Sequence, residues 1–279
     1  MRVQRYIDHF FACTARADCT LRATVAAVQR RQRLNQMVSA IVDNGSLDVA
    51  ALAERFQVSA ATVRRDLRLL EKQRLVSRSR GGATTHEAFN DLPLSYKDTQ
   101  DIVEKRRIAR RALAFVDGAR VIGTTGGTTV SEFARLLMDR DGLTIVTNAL
   151  NLATHLVTNP RLRVFATGGE VRSSSQEAVG PTAEAGMAHY NIDVAFIGVD
   201  GVDARAGCTI YDPLGARVNS ILRQRARTSV VLADATKIGR VALAQVCPMD
   251  DVDVLITDAR APQDALEQIR RQGVQVLAV

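Results

Sequence analysis

Between residues 31 and 44 the apolar side chains fall at Leu34, Met37, Val38, Ile41 and Val42, the i, i+3, i+4, i+7 spacing of a half-buried helix, and Gly45 ends the run. Two shorter helical patterns follow at 49–56 and 60–72, and 75–83, rich in Arg, Ser and Gly, reads as a hairpin or wing. From residue 97 the texture changes. Short β-branched runs at 120–123, 143–147, 163–166, 193–199, 228–232, 252–257 and 274–279 alternate with amphipathic segments at 130–138, 149–158, 181–189, 213–225 and 263–272. Apolar strands separated by helices predict βαβ units and a largely parallel sheet covered on both faces. The expected fold class is α/β, with a small N-terminal winged helix-turn-helix domain at 31–84 and a larger doubly wound, mainly parallel domain at 97–279. Residues 85–96, polar and broken by Pro93, read as a linker, and 1–30 as an extension, either frayed or added by an upstream start codon.

Composition narrows the class. Hydrophobic residues make up 46% and charged residues 24%, which excludes a disordered chain, and aromatics at 4% leave the core to Val, Leu, Ile and Ala. Apolar runs such as 252–257 are too short to span a bilayer, and the first thirty residues lack the apolar stretch of a secretory signal, so a cytoplasmic protein is expected. Cys13, Cys19, Cys208 and Cys247, and His9, His86, His155 and His189, match no disulfide framework or metal-ligand spacing, so neither metal nor cofactor is expected.

The net charge of +7 is unevenly spread. The first thirty residues carry five Arg against two Asp, 31–87 carry ten basic against six acidic residues, and the rest carries 22 of each. A basic head on a neutral body suits a polyanion partner. Within the head, Leu52, Phe56, Val58, Val63 and Leu67 supply the core of two crossing helices. Ser59 stands where an N-cap is wanted, and the next helix turns Ala60, Ala61, Thr62, Arg64, Arg65 and Arg68 outward. Short side chains at a helix start, followed by Arg able to reach guanine edges and phosphates, make a recognition helix. Arg78, Arg80 and the Gly81-Gly82 pair would let the wing reach the DNA backbone or the minor groove. The DNA-binding set is Ser59, Thr62, Arg64, Arg65, Arg68, Arg78 and Arg80.

In the body, Gly123-Thr124-Thr125-Gly126-Gly127-Thr128-Thr129 lies between a strand and a helix. Glycine backbone, Thr hydroxyls and the positive end of the helix dipole make a cradle for phosphate, without the GK[ST] of a Walker loop or a GxGxxG fingerprint. Other expected strand ends carry Asn148, Gly169, Asp200 and Lys237, with Lys237 placed to neutralise a phosphate and Asp200 to accept from sugar hydroxyls.

The head resembles that of the DeoR family of bacterial sugar-metabolism regulators, through Leu52-Ala53, Val58-Ser59, Thr62 to Leu67, Leu70-Glu71 and Gly81-Gly82-Ala83, with Arg80 where the family usually has His. Residues 97–260 resemble the family's C-terminal domain, similar in fold to ribose-5-phosphate isomerase. That resemblance implies a phosphorylated sugar or polyol effector held by Gly126, Gly127, Thr128, Thr129, Asn148, Gly169, Asp200 and Lys237, with Thr125 part of the cradle. Thr125 stands where many members have Asp, and Gly215 where most have Glu. The expected function is a repressor of carbohydrate catabolism that binds operator DNA. A homodimer or homotetramer is expected because one small head rarely gives operator affinity alone, with 97–116 a candidate for joining subunits. The alternative is a sugar-phosphate isomerase or deaminase carrying a DNA-binding head, which the absence of acids at 125 and 215 disfavours.

Overall fold

The computed structural model describes residues 30, 33, 34, 36–38, 40, 41, 44–72, 75–79, 81–84, 94 and 101–279. The expected extension at 1–30 apart from Arg30, the linker apart from Leu94, and Arg80 lie outside the described residues. The chain divides into two compact units, Met1–Asn90 and Asp91–Val279.

In the first unit every described residue between 30 and 44 is helical, and Leu34, Met37, Val38 and Ile41 are buried. Strand β1 (Ser46–Asp48) leads into helix α1 (Val49–Arg55), capped by Asp48, whose carboxylate accepts from Ala51 N at 2.7 Å. After a turn with Gln57 at φ +51°, α2 (Ala60–Lys72) begins. Its inner positions Val63, Leu67 and Leu70 pack with Leu52 in the core. Asp66, 1% exposed, faces inward from the same helix and pairs with Arg33 at 2.8 Å. Strands β2 (Ser77–Ser79) and β3 (Gly82–Thr84) form the expected hairpin, with Ser77 opposite Thr84. Pairing of β1 on the other edge of β3 was not expected, since three residues of Ser-Leu-Asp carry no alternation to read. Gly82 is required there: a Cβ would lie 2.3 Å from the Leu47 carbonyl oxygen.

The second unit is built on seven strands: β4 (Val121–Thr124), β5 (Thr144–Thr147), β6 (Arg163–Ala166), β9 (Ile192–Gly198), β12 (Ala226–Leu232), β14 (Val254–Thr257) and β15 (Gln275–Ala278). Their order is β6-β5-β4-β9-β12-β14-β15 and every pairing is parallel. The first strand in sequence thus lies inside the sheet, and the chain reverses its direction of travel between β4 and β9, the arrangement that opens a crevice at the strands' carboxyl ends. Alternate residues feed opposite faces. Val194, Phe196, Val230, Leu232, Val254 and Ile256 pack with helices α3 (Ile102–Ala112), α4 (Thr128–Leu137) and α5 (Leu150–Leu156). Ala195, Ile197, Val231 and Leu255 pack with α6 (Pro181–Ala188), α7 (Pro213–Arg225) and α8 (Gln263–Arg270).

The apolar stripe of 97–116 has a partner within its own unit. Ile108, Ala109 and Ala112 of α3 are fully buried against the sheet, while Arg106, Arg107, Arg110 and Arg111 face outward. Two small antiparallel additions were not foreseen. β7 (Glu170–Val171) pairs with β8 (Ala178–Val179), and β10 (Gly201–Asp203), β11 (Gly207–Ile210) and β13 (Ala244–Cys247) form a three-stranded sheet. In the latter Cys208 and Cys247 are opposite one another as buried free thiols.

Candidate nucleic-acid interface and effector cleft

In the head, Ser59 Oγ accepts from Thr62 N at 3.2 Å and shares a 3.0 Å bond with the Thr62 hydroxyl, so the cap at the start of α2 is formed by the residue the sequence singled out. Arg64, Arg65 and Arg68 are exposed on one side of α2, Ala61 is exposed, and Ala60 and Thr62 are half-buried. Arg78 is exposed on β2 and lies 3.8 Å from Glu71. Asp66 was not singled out: its buried carboxylate pairs with Arg30 at 3.4 Å and Arg33 at 2.8 Å, tying those residues to α2.

In the second unit the loop after β4 enters the crevice between β4 and β9. Thr125, fully buried, staples the two strand ends: its hydroxyl accepts from Gly198 N at 2.8 Å and donates to the Gly126 carbonyl at 3.2 Å. Gly198 touches this loop so closely that a Cβ would stand 2.6 Å from the Gly126 carbonyl oxygen. Gly127, at φ +105°, is the N-cap of α4 and supplies no side-chain acceptor to the first turn. Gly126, Gly127, Thr128 and Thr129 therefore line a cleft together with Asp200 and Lys237.

Asn148, Gly169 and Thr125 are not among the residues that line that cleft. Asn148, 1% exposed, donates to the Ala178 carbonyl at 3.3 Å, and Gly169 packs with Val179 and Ala183. The reason is topological: β5 and β6 run to the side away from β9, so their ends stand back from the switch point.

Lys237 follows β12 in a short 3-10 turn whose geometry is fixed by two carboxylates. Asp234 accepts from Thr236 N at 3.1 Å and Asp258 from Ala235 N at 2.7 Å. Burial opposes ionisation of Asp258, but hydrogen bonds from the Arg260 guanidinium and from the Ala235 and Arg260 amides outweigh it and hold the carboxyl below its ordinary range. Lys237 Nζ reaches Asp200 at 4.0 Å.

Gly198, Val199, Asp234 and Thr236 line the cleft from strand ends that the sequence marks as polar or glycine-bearing, whereas Lys105, Arg172, Glu177 and Asn219 carry no such signal. Lys105, 3% exposed, comes from α3, and Arg172 pairs with Asp212 at 3.2 Å. Asn219 of α7, 2% exposed, lines the cleft with an Oδ1 that has no hydrogen-bond partner among the described residues. Glu177 extends over the glycine loop and accepts from Gly126 N at 2.8 Å. Three cations and the carboxylates of Asp101, Glu177, Asp200, Asp212 and Asp234 thus share the wall. Such a surface can hold a polar ligand by oxyanion contacts at one end and hydroxyl contacts at the other.

Residues 33–89 match the DeoR-like helix-turn-helix domain, and residues 100–259 match the DeoR C terminal sensor domain. The HTH-type transcriptional regulator GlpR of Haloferax volcanii is 34% identical over 89% of this chain and 96% of its own. The HTH-type transcriptional repressor GlcR of Bacillus subtilis is 30% identical over 89% and 96%. The glycerol-3-phosphate regulon repressor of Escherichia coli K12 is 27% identical over 89% and 99%. Among the described residues no helix is long and apolar enough to cross a membrane. With both domains matched in order and relatives aligned along nearly their whole length, the chain belongs to the DeoR family and is a DNA-binding transcription regulator, not an enzyme.

Proposed function

We propose that this regulator is an operator-binding repressor of a carbohydrate-catabolism operon, released by a phosphorylated sugar or polyol bound in the cleft at Gly126–Thr129. Arg64, Arg65 and Arg68 of α2 meet the major groove, and Arg78, with Arg80 beside it in sequence, meets the DNA backbone. The observation that carries the effector half is that the Gly126 amide is already bonded to an oxyanion, the carboxylate of Glu177. A loop amide that donates to one anion beside a helix N-terminus is fitted to donate to another. Lys237 and Lys105 bring positive charge to the lining, and the Asp200 carboxylate and Asn219 Oδ1 are acceptors for a ligand's hydroxyls. The name of the Escherichia coli relative supports the ligand class, since its regulon is that of a phosphorylated polyol. Two or more copies assemble so that paired heads meet two half-sites.

A thermal-shift screen of sugar and polyol phosphates against the full chain tests this reading. A true effector at 100 times its dissociation constant adds about 2.7 kcal/mol of stability. Lys237→Ala is expected to weaken that shift while leaving operator binding intact. No shift with any phosphorylated compound, or loss of operator binding in Lys237→Ala with the shift unchanged, would overturn it.

A further inference from the structure

The cradle is occupied by an anion that belongs to the protein. Glu177 Oε1 lies 2.8 Å from Gly126 N, and the carboxyl sits so squarely on the loop that a Cβ at residue 126 would be 2.8 Å from Glu177 Cδ. This is the N-terminal end of α4, where unpaired amides and the helix dipole favour negative charge. Carboxylate and phosphate compete for such donors.

Glu177 is carried by the turn between β7 and β8. Arg172 N donates to the Glu177 carbonyl at 3.0 Å, Gln176 N donates to the Arg172 carbonyl at 2.8 Å, and Leu150 N donates to the Gln176 carbonyl at 2.9 Å. The same turn holds Leu94, whose N–H donates to the Ser174 carbonyl at 3.0 Å. Leu94 lies close to the start of the sensor unit at Asp91, in the stretch of chain that follows the head. The Ser175 hydroxyl, buried on this turn and lining the cleft, has no partner among the described residues and is a ready donor for an arriving oxyanion.

Resting on the reading of this cleft as the effector site, we propose that Glu177 is a tethered competitor for the effector's phosphate, and that its displacement from Gly126 loosens the turn that holds Leu94. The carboxylate lowers apparent effector affinity by the fraction of molecules in which the cradle is free, so a cradle free in one molecule of ten binds about ten-fold more weakly. It also gives the sensor two discrete states: carboxylate in and Leu94 held, or phosphate in and Leu94 released. A switch requires such a differential contact between ligand and the two states.

The test uses the full chain, inorganic phosphate as the probe, and the variants Glu177→Gln and Glu177→Ala. Both variants are expected to bind phosphate about ten-fold more tightly than wild type, the cradle no longer being pre-occupied by charge. Hydrogen exchange of the peptide containing Leu94 is expected to quicken in wild type on adding phosphate, and to be fast in Glu177→Ala without it. Phosphate bound equally well by wild type and both variants, or more weakly by the variants, overturns the competitor while leaving the cradle in place. Unchanged Leu94 exchange in Glu177→Ala overturns the coupling. Phosphate binding by none of the three overturns the cradle and the competitor together.

Discussion

Asp193 shows how one carboxylate can set the register of a sheet. At the start of β9 its Oδ2 accepts from Arg120 N and Val121 N, each at 2.9 Å, so it ties β9 to the first residue of β4 at the end of the sheet away from the cleft. Those two amide bonds, that from Val121 first, hold its carboxyl below the ordinary range. A lowered folded value means the contribution is complete above the unfolded value of about 3.9 and fades as pH falls through the folded one. Asp193→Asn is therefore expected to cost about 1 kcal/mol at neutral pH, discounted for its partial exposure. Thermal melts should show the gap closing in acid; a gap constant from pH 7 to pH 3 would refute the assignment. Single residues were legible in the sequence where their partners are near. Ser59 and Thr62 are three apart, and the helical cap follows from spacing alone. Glu177 and Gly126 are separated by 51 positions, and no local pattern announces that one carboxylate will lie on one glycine.

At the scale of elements, the strands inside the parallel sheet were readable because burial on both faces favours short apolar runs, and the edge strands β6 and β15, exposed at both ends, were readable from Val164-Phe165 and Val276-Leu277 at their centres. The pieces that decorate the cleft were not. β7 and β8 have two residues each, and β10, β11 and β13 have three or four, too few for an alternation to be read. Convergence of all strand ends on one crevice was too simple an expectation: β4, β9 and β12 contribute, whereas Asn148 and Gly169, after β5 and β6, stand on the retreating side. The junction between β4 and β9 is correspondingly sensitive. Gly198→Ala would push a methyl to within 2.6 Å of the Gly126 carbonyl and 3.1 Å of Val130 Cγ2. We expect about 1–3 kcal/mol of destabilisation, as for other overpacked sites, together with loss of the ligand-dependent thermal shift. A variant that melts like wild type and keeps the shift would show that the close approach is not what shapes the loop.

At the scale of the molecule, the charge distribution foreshadowed the division of labour: basic excess before residue 88, balance after it. Operator affinity belongs to this scale because the function proposed above joins paired heads to a site elsewhere in the chain. Replacing Arg64 or Arg65 with Ala should cost about 1–3 kcal/mol of operator affinity if the side chain meets a guanine, and should instead flatten the salt dependence if it meets a phosphate. Footprint titrations at two salt concentrations distinguish these outcomes, and affinity and salt slope both unchanged would remove α2 from the groove. Linkage adds that whatever the effector does to operator affinity, the operator must do to effector affinity by the same factor.

The strand order has a consequence for how the protein comes into being. Because β4, the earliest strand of the sheet, is flanked by β9, and because Lys237 arrives only after β12, the walls of the cleft are gathered from segments that leave the ribosome far apart in time. The head emerges first and is a compact unit of its own. A chain interrupted before residue 226 would thus contain the whole helix-turn-helix unit and lack β12 and Lys237, so that on the function proposed above it could not answer the effector.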